Sequence, residues 1–119
     1  MASIERNNPG VKLSESVAFG DIVFLSGKLP GDTTQDIEIQ TRSLLNVVDE
    51  ALIKAGSDRS HLLFATIFLK NRKFEAKFNA LWNAWLPEGQ APARICVEAN
   101  MLNDAYLVEI AVTAARADL

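Results

Sequence analysis

His61-Leu62-Leu63-Phe64-Ala65-Thr66-Ile67-Phe68-Leu69 alternates, and both alternate sets are almost wholly apolar. Leu63, Ala65, Ile67 and Leu69 make one set; Phe64, Thr66 and Phe68 make the other. Successive strand side chains point to opposite faces. A strand that is apolar on both faces therefore reads as a central one, covered on each side.

A helical pattern flanks this stretch on either side. Upstream, Ile37, Thr41, Leu44, Val48, Leu52 and Ala55 recur at steps of three and four, the period of one helix face. The spacing predicts a helix over residues 35–55. Gly56 supplies its stop, and Thr33 with Asp36 supplies a capping box in which aspartate replaces the longer glutamate. Downstream, Phe74, Phe78, Leu81, Trp82 and Trp85 form a second stripe, which predicts a helix over residues 72–86 ended by Pro87 and Gly89. Trp82 and Trp85 fit that stripe and read as core.

Two strand pairs lie further out. Residues 12–19 and 21–26 flank Gly20-Asp21, a hairpin-turn signal. Residues 93–101 and 106–115 are read as strands joined into a hairpin by the loop 102–105. The resulting order, ββαβαββ, predicts one α+β domain over residues 1–119, a mixed and largely antiparallel sheet with both helices on one face. Two helices cannot cover both faces of an apolar sheet. A second subunit is the expected cover for the other.

Composition narrows the function. The net charge is −3 and the isoelectric point about 5.1. Both speak against a nucleic-acid partner, which usually selects a basic face. Lys70, Arg72 and Lys73 form the longest basic cluster and read as a solvated loop. A single cysteine, Cys96, permits no intrachain disulfide. With a single histidine, His61, there is no Cys/His cluster from which to argue a metal site. MASIERNNPG has no apolar signal core, and no apolar run approaches the ~18 residues of a membrane span. The expectation is a cytoplasmic protein with no membrane partner.

Few residues could carry chemistry. Arg94, in Ala91-Pro92-Ala93-Arg94, opens a strand otherwise rich in apolar residues. Its planar fork suits a small carboxylate; a salt bridge with Glu98 or Glu109 is the alternative. Glu109 interrupts the core-like run Leu107-Val108-Glu109-Ile110-Ala111-Val112. Either it is kept for acid–base work, or it sits at an edge open to solvent. Cys96 lies two residues beyond Arg94 on the same strand face, with no base near it in sequence, and reads as a small core or pocket-lining residue. Ser26, before Gly27, could donate a hydrogen bond into a pocket, but Phe24-Leu25-Ser26-Gly27-Lys28 is not the Gly-x-Ser-x-Gly elbow of serine hydrolases.

Several segments, in order, resemble the Rid family, also called the YjgF or L-PSP family. They are Leu25-Ser26-Gly27-Lys28-Leu29-Pro30, Gln40-Thr41-Arg42, Ala55-Gly56-Ser57, Ala65-Thr66-Ile67-Phe68-Leu69, Asn79-Ala80-Leu81-Trp82, Ala91-Pro92-Ala93-Arg94-Ile95-Cys96-Val97-Glu98-Ala99 and Leu107-Val108-Glu109-Ile110. The resemblance spans about residues 12–115. It implies a chorismate-mutase-like fold and a homotrimer with a site in each cleft between subunits. It also implies hydrolysis of 2-imino and enamine acids, such as 2-iminopropanoate or 2-aminoacrylate, to 2-oxo acids and ammonia, without a cofactor. Carried over by position, Arg94 would hold the substrate carboxylate and Glu109 would orient or activate the water. Ser26, Asn79, Ile95 and Cys96 would line the pocket. Many members carry a tyrosine near the start of the first strand, where this chain has Leu13. That departure keeps open a non-catalytic reading, a trimer that binds small molecules in the same clefts. RNA cleavage, also attached to the family by name, is disfavoured by the acidic balance.

Overall fold

The 61–69 stretch is a central strand, β4 (Leu62–Leu69), hydrogen-bonded on both sides in a computed structural model that describes residues 2–117. The other strands are β1 (Ile4–Pro9), β2 (Ser14–Phe19), β3 (Ile22–Leu25), β5 (Ala93–Glu98) and β6 (Val108–Ala115). They form one six-stranded sheet in the order β1-β2-β3-β6-β4-β5. Neighbours are antiparallel except β4 and β5, which run parallel. Helices α1 (Ile37–Lys54) and α2 (Glu75–Trp85) pack on one face, so the α+β reading holds.

The predicted stripes are the buried ones. Ile37, Thr41, Leu44, Val48 and Leu52 of α1 are buried, as are Phe78, Trp82 and Trp85 of α2. They close over Ala65, Ile67 and Leu69 of β4 and Val108, Ile110 and Val112 of β6. Trp85 also has a polar role. Its indole N–H donates to Asp49 Oδ2 at 3.0 Å, while Arg59 reaches the same carboxylate through Nη2 at 2.6 Å and Nε at 3.1 Å. Arg59 Nη1 donates to the Trp85 carbonyl at 3.0 Å. One carboxylate thus binds α1, α2 and the turn before β4. Gly20 opens the two-residue β2–β3 turn at φ +62 and is the only positive-φ residue in it, the pattern of a type II′ hairpin.

The structure corrects the sequence reading in five places. An extra strand, β1, precedes the expected pair. All six of its residues are exposed, so it carries no apolar alternation, and Pro9 is tolerated because the strand is an edge. The C-terminal pair is not a hairpin: β4 lies between β5 and β6. A strand that follows a crossover helix can lie parallel to its predecessor, and β5 does so after α2. The loop after β5 then passes over the end of β4, where Ala99 N–H donates to Leu69 O and Lys70 N–H to Leu107 O, each at 2.9 Å. In β4 a bulge between Leu62 and Phe64 buries Leu62 and exposes Leu63. Asp36, not Thr33, caps α1, accepting from Ile39 N–H at 3.0 Å. Residues 72–74 are a 3-10 turn ahead of α2.

Among the described residues, the sheet is covered on one face only. Its other face presents Phe19, Ile22, Phe24, Phe64, Ile95 and Val97, each between 37% and 54% exposed.

Candidate functional site

Arg94 opens β5 at the sheet edge, where it pairs with Ala65. Its side chain rises along α2. Nη2 donates to Asn79 Oδ1 at 2.8 Å, and the guanidinium carbon stands 5.9 Å from the Trp82 ring centroid. A cleft of about 280 Å³ opens beside it, lined by Asn79, Trp82, Asn83, Leu86, Pro92 and Arg94. Neither acid that could have neutralised Arg94 does so. Glu98 accepts from the Arg72 N–H at 2.7 Å and from its guanidinium at 3.2 Å. These two bonds hold the Glu98 carboxyl below its usual range. Glu109 is on the other face of the sheet. An amide oxygen and an indole face fix the orientation of the fork without cancelling its charge.

Glu109 lies in β6 opposite Phe68. A second cleft, of about 220 Å³, joins it to Phe68, Ala99, Asn100, Met101 and Leu102. Its carboxylate passes so close to Gly27 that a Cβ there would collide with Oε2. Local backbone geometry makes this approach possible. From the pair Phe24/Thr113 to the pair Lys28/Ile110, one side advances four residues and the other three. Gly27 falls in that irregularity. Ser26 next to it is half-buried, and its hydroxyl already donates to the Ser14 carbonyl at 2.5 Å.

The expected site residues therefore form two groups. Arg94, Asn79 and Cys96 lie on the helix-covered side at the β5 edge; Cys96 pairs with buried Ile67. Glu109 and Ile95 lie on the open face, aligned with Phe68 and Thr66, with Gly27 beside Glu109 and the Ser26 hydroxyl bonded to the Ser14 carbonyl. Within one chain the two groups do not meet. Burial pushes the Cys96 thiol up, partly offset by the Arg94 charge, and Glu75 adds to the rise. A protonated thiol is a poor nucleophile, and Cys96 lines a separate small hollow with Leu69, Arg72 and Glu98 rather than the Arg94 cleft.

Other polar clusters offer less. Asp58, Ser60 and His61 bring together the residue types of a catalytic triad. However, Ser60 Oγ and His61 Nδ1 converge on one oxygen of Asp58, and Ser60 also approaches the same Nδ1. A triad needs the two ring nitrogens to face different partners. This cluster is instead the cap of a 3-10 turn. A hollow of about 270 Å³ under the β1–β2 hairpin is lined by Glu15 and Lys54. Glu15 is engaged by Asn8 at 2.6 Å and Lys54 at 3.6 Å. Among the described residues no group of three or more His, Cys, Asp or Glu could hold a metal, and no helix is long and apolar enough to cross a membrane.

Sequence reasoning missed Trp82 as a neighbour of Arg94 and Gly27 as the contact of Glu109. Trp82 carried a signal, since it lies three residues after Asn79 on one helix face. Gly27 carried only its position between a strand end and Lys28.

Known proteins give this geometry a context. The family described as Endoribonuclease L-PSP matches residues 4–116. The RutC family protein YoaB of Escherichia coli is 35% identical over 113 residues, 95% of this chain and 98% of its own length. A solved member of the YjgF protein family from Neisseria meningitidis superposes with a TM-score of 0.92 at 35% identity, covering 98% of each chain. A Yersinia pestis protein of the conserved Rid family gives 0.82 at 32% identity, covering 90% of each. By fold and by sequence, this chain belongs to the L-PSP family, together with its RutC, YjgF and Rid relatives.

Proposed function

We propose that this chain hydrolyses 2-imino and enamine acids to 2-oxo acids and ammonia, in clefts that Arg94 of one copy and Glu109 of another complete together. The observation that carries the reading is the state of Arg94. Its guanidinium is oriented by Asn79 and Trp82, opens on a small cleft, and among the described residues has no carboxylate paired with it. A positioned, uncompensated fork at a strand mouth suits a ligand whose main handle is a carboxylate. The open apolar sheet face supports the second half. A homotrimer that buries Phe24, Phe64 and Ile95 would bring Glu109 to a neighbour's Arg94 cleft.

The chemistry needs little more. A protonated imine beside a carboxylate is strongly electrophilic at C2. Arg94 holds the acid, and Glu109 takes a proton from water as its oxygen bonds to C2. Glu109 returns that proton to nitrogen. The hydroxyl proton of the tetrahedral adduct then passes back to the Glu109 carboxylate as the C–N bond breaks, the C2 carbonyl forms and ammonia leaves. The proton left on the carboxylate departs with ammonia as ammonium. Water is the only other reactant. Positioning and electrostatics supply the rate. The acidic balance of the chain does not favour carrying over the ribonuclease of the family name.

Leu13, 59% exposed in the β1–β2 turn, supports a second reading, binding without turnover. Imines generated by an amino-acid oxidase, with oxo-acid release timed against a buffer control, separate the two. Faster release supports hydrolysis; release at the buffer rate, with 2-oxo acid still bound, leaves only a binding protein.

A further inference from the structure

Gln40 is polar, lies in the first turn of α1 and is completely buried. An unsatisfied amide there would be costly. Each of its functions is used, and none is used within its own helix. Nε2 donates to the Ala105 carbonyl at 2.9 Å and to the Thr34 carbonyl at 3.1 Å. Oε1 accepts from Leu107 N–H at 2.7 Å in a buried bond. Two of the three bonds reach a loop more than sixty residues away in sequence. Gln35 adds another donor to Ala105 O at 2.8 Å, and Lys70 Nζ reaches Asp104 O at 2.9 Å.

That loop matters because of what it carries. It leaves β5 at Ala99, and Ala99, Asn100, Met101 and Leu102 wall the cleft around Glu109. It then enters β6, and Leu107, held by Gln40, is two residues before Glu109. Gln40 therefore grips the base of a loop whose outer half is the cleft wall and whose continuation bears the carboxylate. A leucine at this place would fill the core equally well. It would leave the Leu107 N–H and the Ala105 carbonyl without this partner.

We propose that Gln40 is a positioning residue for the Glu109 cleft, acting from the opposite face of the sheet through Ala105 and Leu107. The proposal rests on the reading of Glu109 as the group that places the water. It differs from a purely structural role in what it predicts for the rate. Arg94 is anchored by α2 and Trp82, away from the Gln40 bonds. Losing Gln40 should therefore lower kcat and leave KM nearly unchanged.

The test compares Gln40→Met, which keeps bulk and loses every polar function, with Gln40→Glu, which keeps the acceptor for Leu107. The substrate is oxidase-generated 2-iminopropanoate, and Leu107 amide hydrogen exchange is followed in parallel. Gln40→Met should lose roughly 10- to 100-fold in kcat, with KM within about twofold and faster exchange at Leu107. Gln40→Glu should lie between Gln40→Met and wild type, and it serves alone if Gln40→Met does not fold. Gln35→Ala, which leaves the Leu107 bond intact, should stay near wild type. A folded Gln40 variant with wild-type kcat would overturn the proposal, as would kcat and KM changing only with the amount of folded protein. If wild type itself has no turnover, the imine reading fails first. The positioning claim is then decided by the Glu109 carboxyl carbon shift: it stands if the Gln40→Glu chain moves that shift and falls if it does not.

Discussion

Arg94 and Glu109 stand on opposite faces of one sheet. Arg94 is aligned with Ala65 of the central strand and Glu109 with Phe68 of the same strand. Three residues apart along a strand, the two partners point in opposite directions. A molecule as small as 2-iminopropanoate cannot touch both in one chain. The fold reconciles them only if a second copy presents its open face to the Arg94 edge.

Arg94→Ala should abolish imine hydrolysis and leave assembly and melting near wild type. Losing a charge-assisted pair in a partly enclosed cleft costs about 2–5 kcal/mol, roughly 30- to several-thousand-fold in kcat/KM. Arg94→Lys should recover little, because an ammonium restores charge without the fork. Added 2-oxo acid should protect wild type, and not the alanine variant, against thermal unfolding. Loss of the assembly in step with activity would make Arg94 structural instead.

Glu109→Gln keeps shape and hydrogen-bonding capacity but cannot take a proton. The rate should fall about 10²-fold with the fold intact. Gly27→Ala should reproduce part of this loss, since its Cβ would enter the space of the Glu109 carboxylate. A wild-type rate in Glu109→Gln would leave Glu109 no role beyond packing. Steady-state kinetics with circular dichroism on each variant provides the check.

Light scattering at micromolar concentration should report about three chain masses. Phe24, 50% exposed on the uncovered face, is a direct probe. Phe24→Glu places a charge in the middle of the proposed interface and should yield monomers that no longer turn over substrate. A fully active monomer would contradict the shared cleft.

Much of this was legible in the sequence, and the rest was hidden for physical reasons. Both helices were visible because their stripes have a period that nothing else produces. Glu109 was visible as an acid in a core-like strand, and its alternation with Val108 and Ile110 was already correct. Strand β1 was hidden because an edge strand exposed along its whole length needs no apolar pattern. The parallel place of β5 was hidden because periodicity tells which way side chains face, not which strand lies alongside. For the same reason Arg94 and Glu109 could not be assigned to opposite faces beforehand. That assignment depends on registers that meet only in β4. Gln40 stands in the Gln40-Thr41-Arg42 segment, but its role depends on a loop more than sixty residues away.

Asp49 tests the frame behind the site. It accepts from both Arg59 and Trp85. Asp49→Ala should cost about 2 kcal/mol, the order expected for hydrogen bonds to a charged acceptor, and the loss would be read as a lower urea midpoint at unchanged slope. Asp49→Asn keeps one acceptor and should cost less. An unchanged midpoint in Asp49→Ala would show that apolar packing alone holds the helices together.

Subunit complementation tests the shared cleft most directly. Arg94→Ala and Glu109→Gln chains, carrying different tags, are assembled together in equal amounts and the mixed trimers are isolated. Each cleft then draws its arginine from one copy and its glutamate from the next. Whichever chain is present twice, about one in three clefts of a mixed trimer should hold both intact residues. The isolated mixed trimers should therefore regain about a third of the wild-type rate, although each parent alone is nearly inactive. Mixed trimers no faster than their parents, beside an active wild type, would contradict a site built from Arg94 of one copy and Glu109 of another.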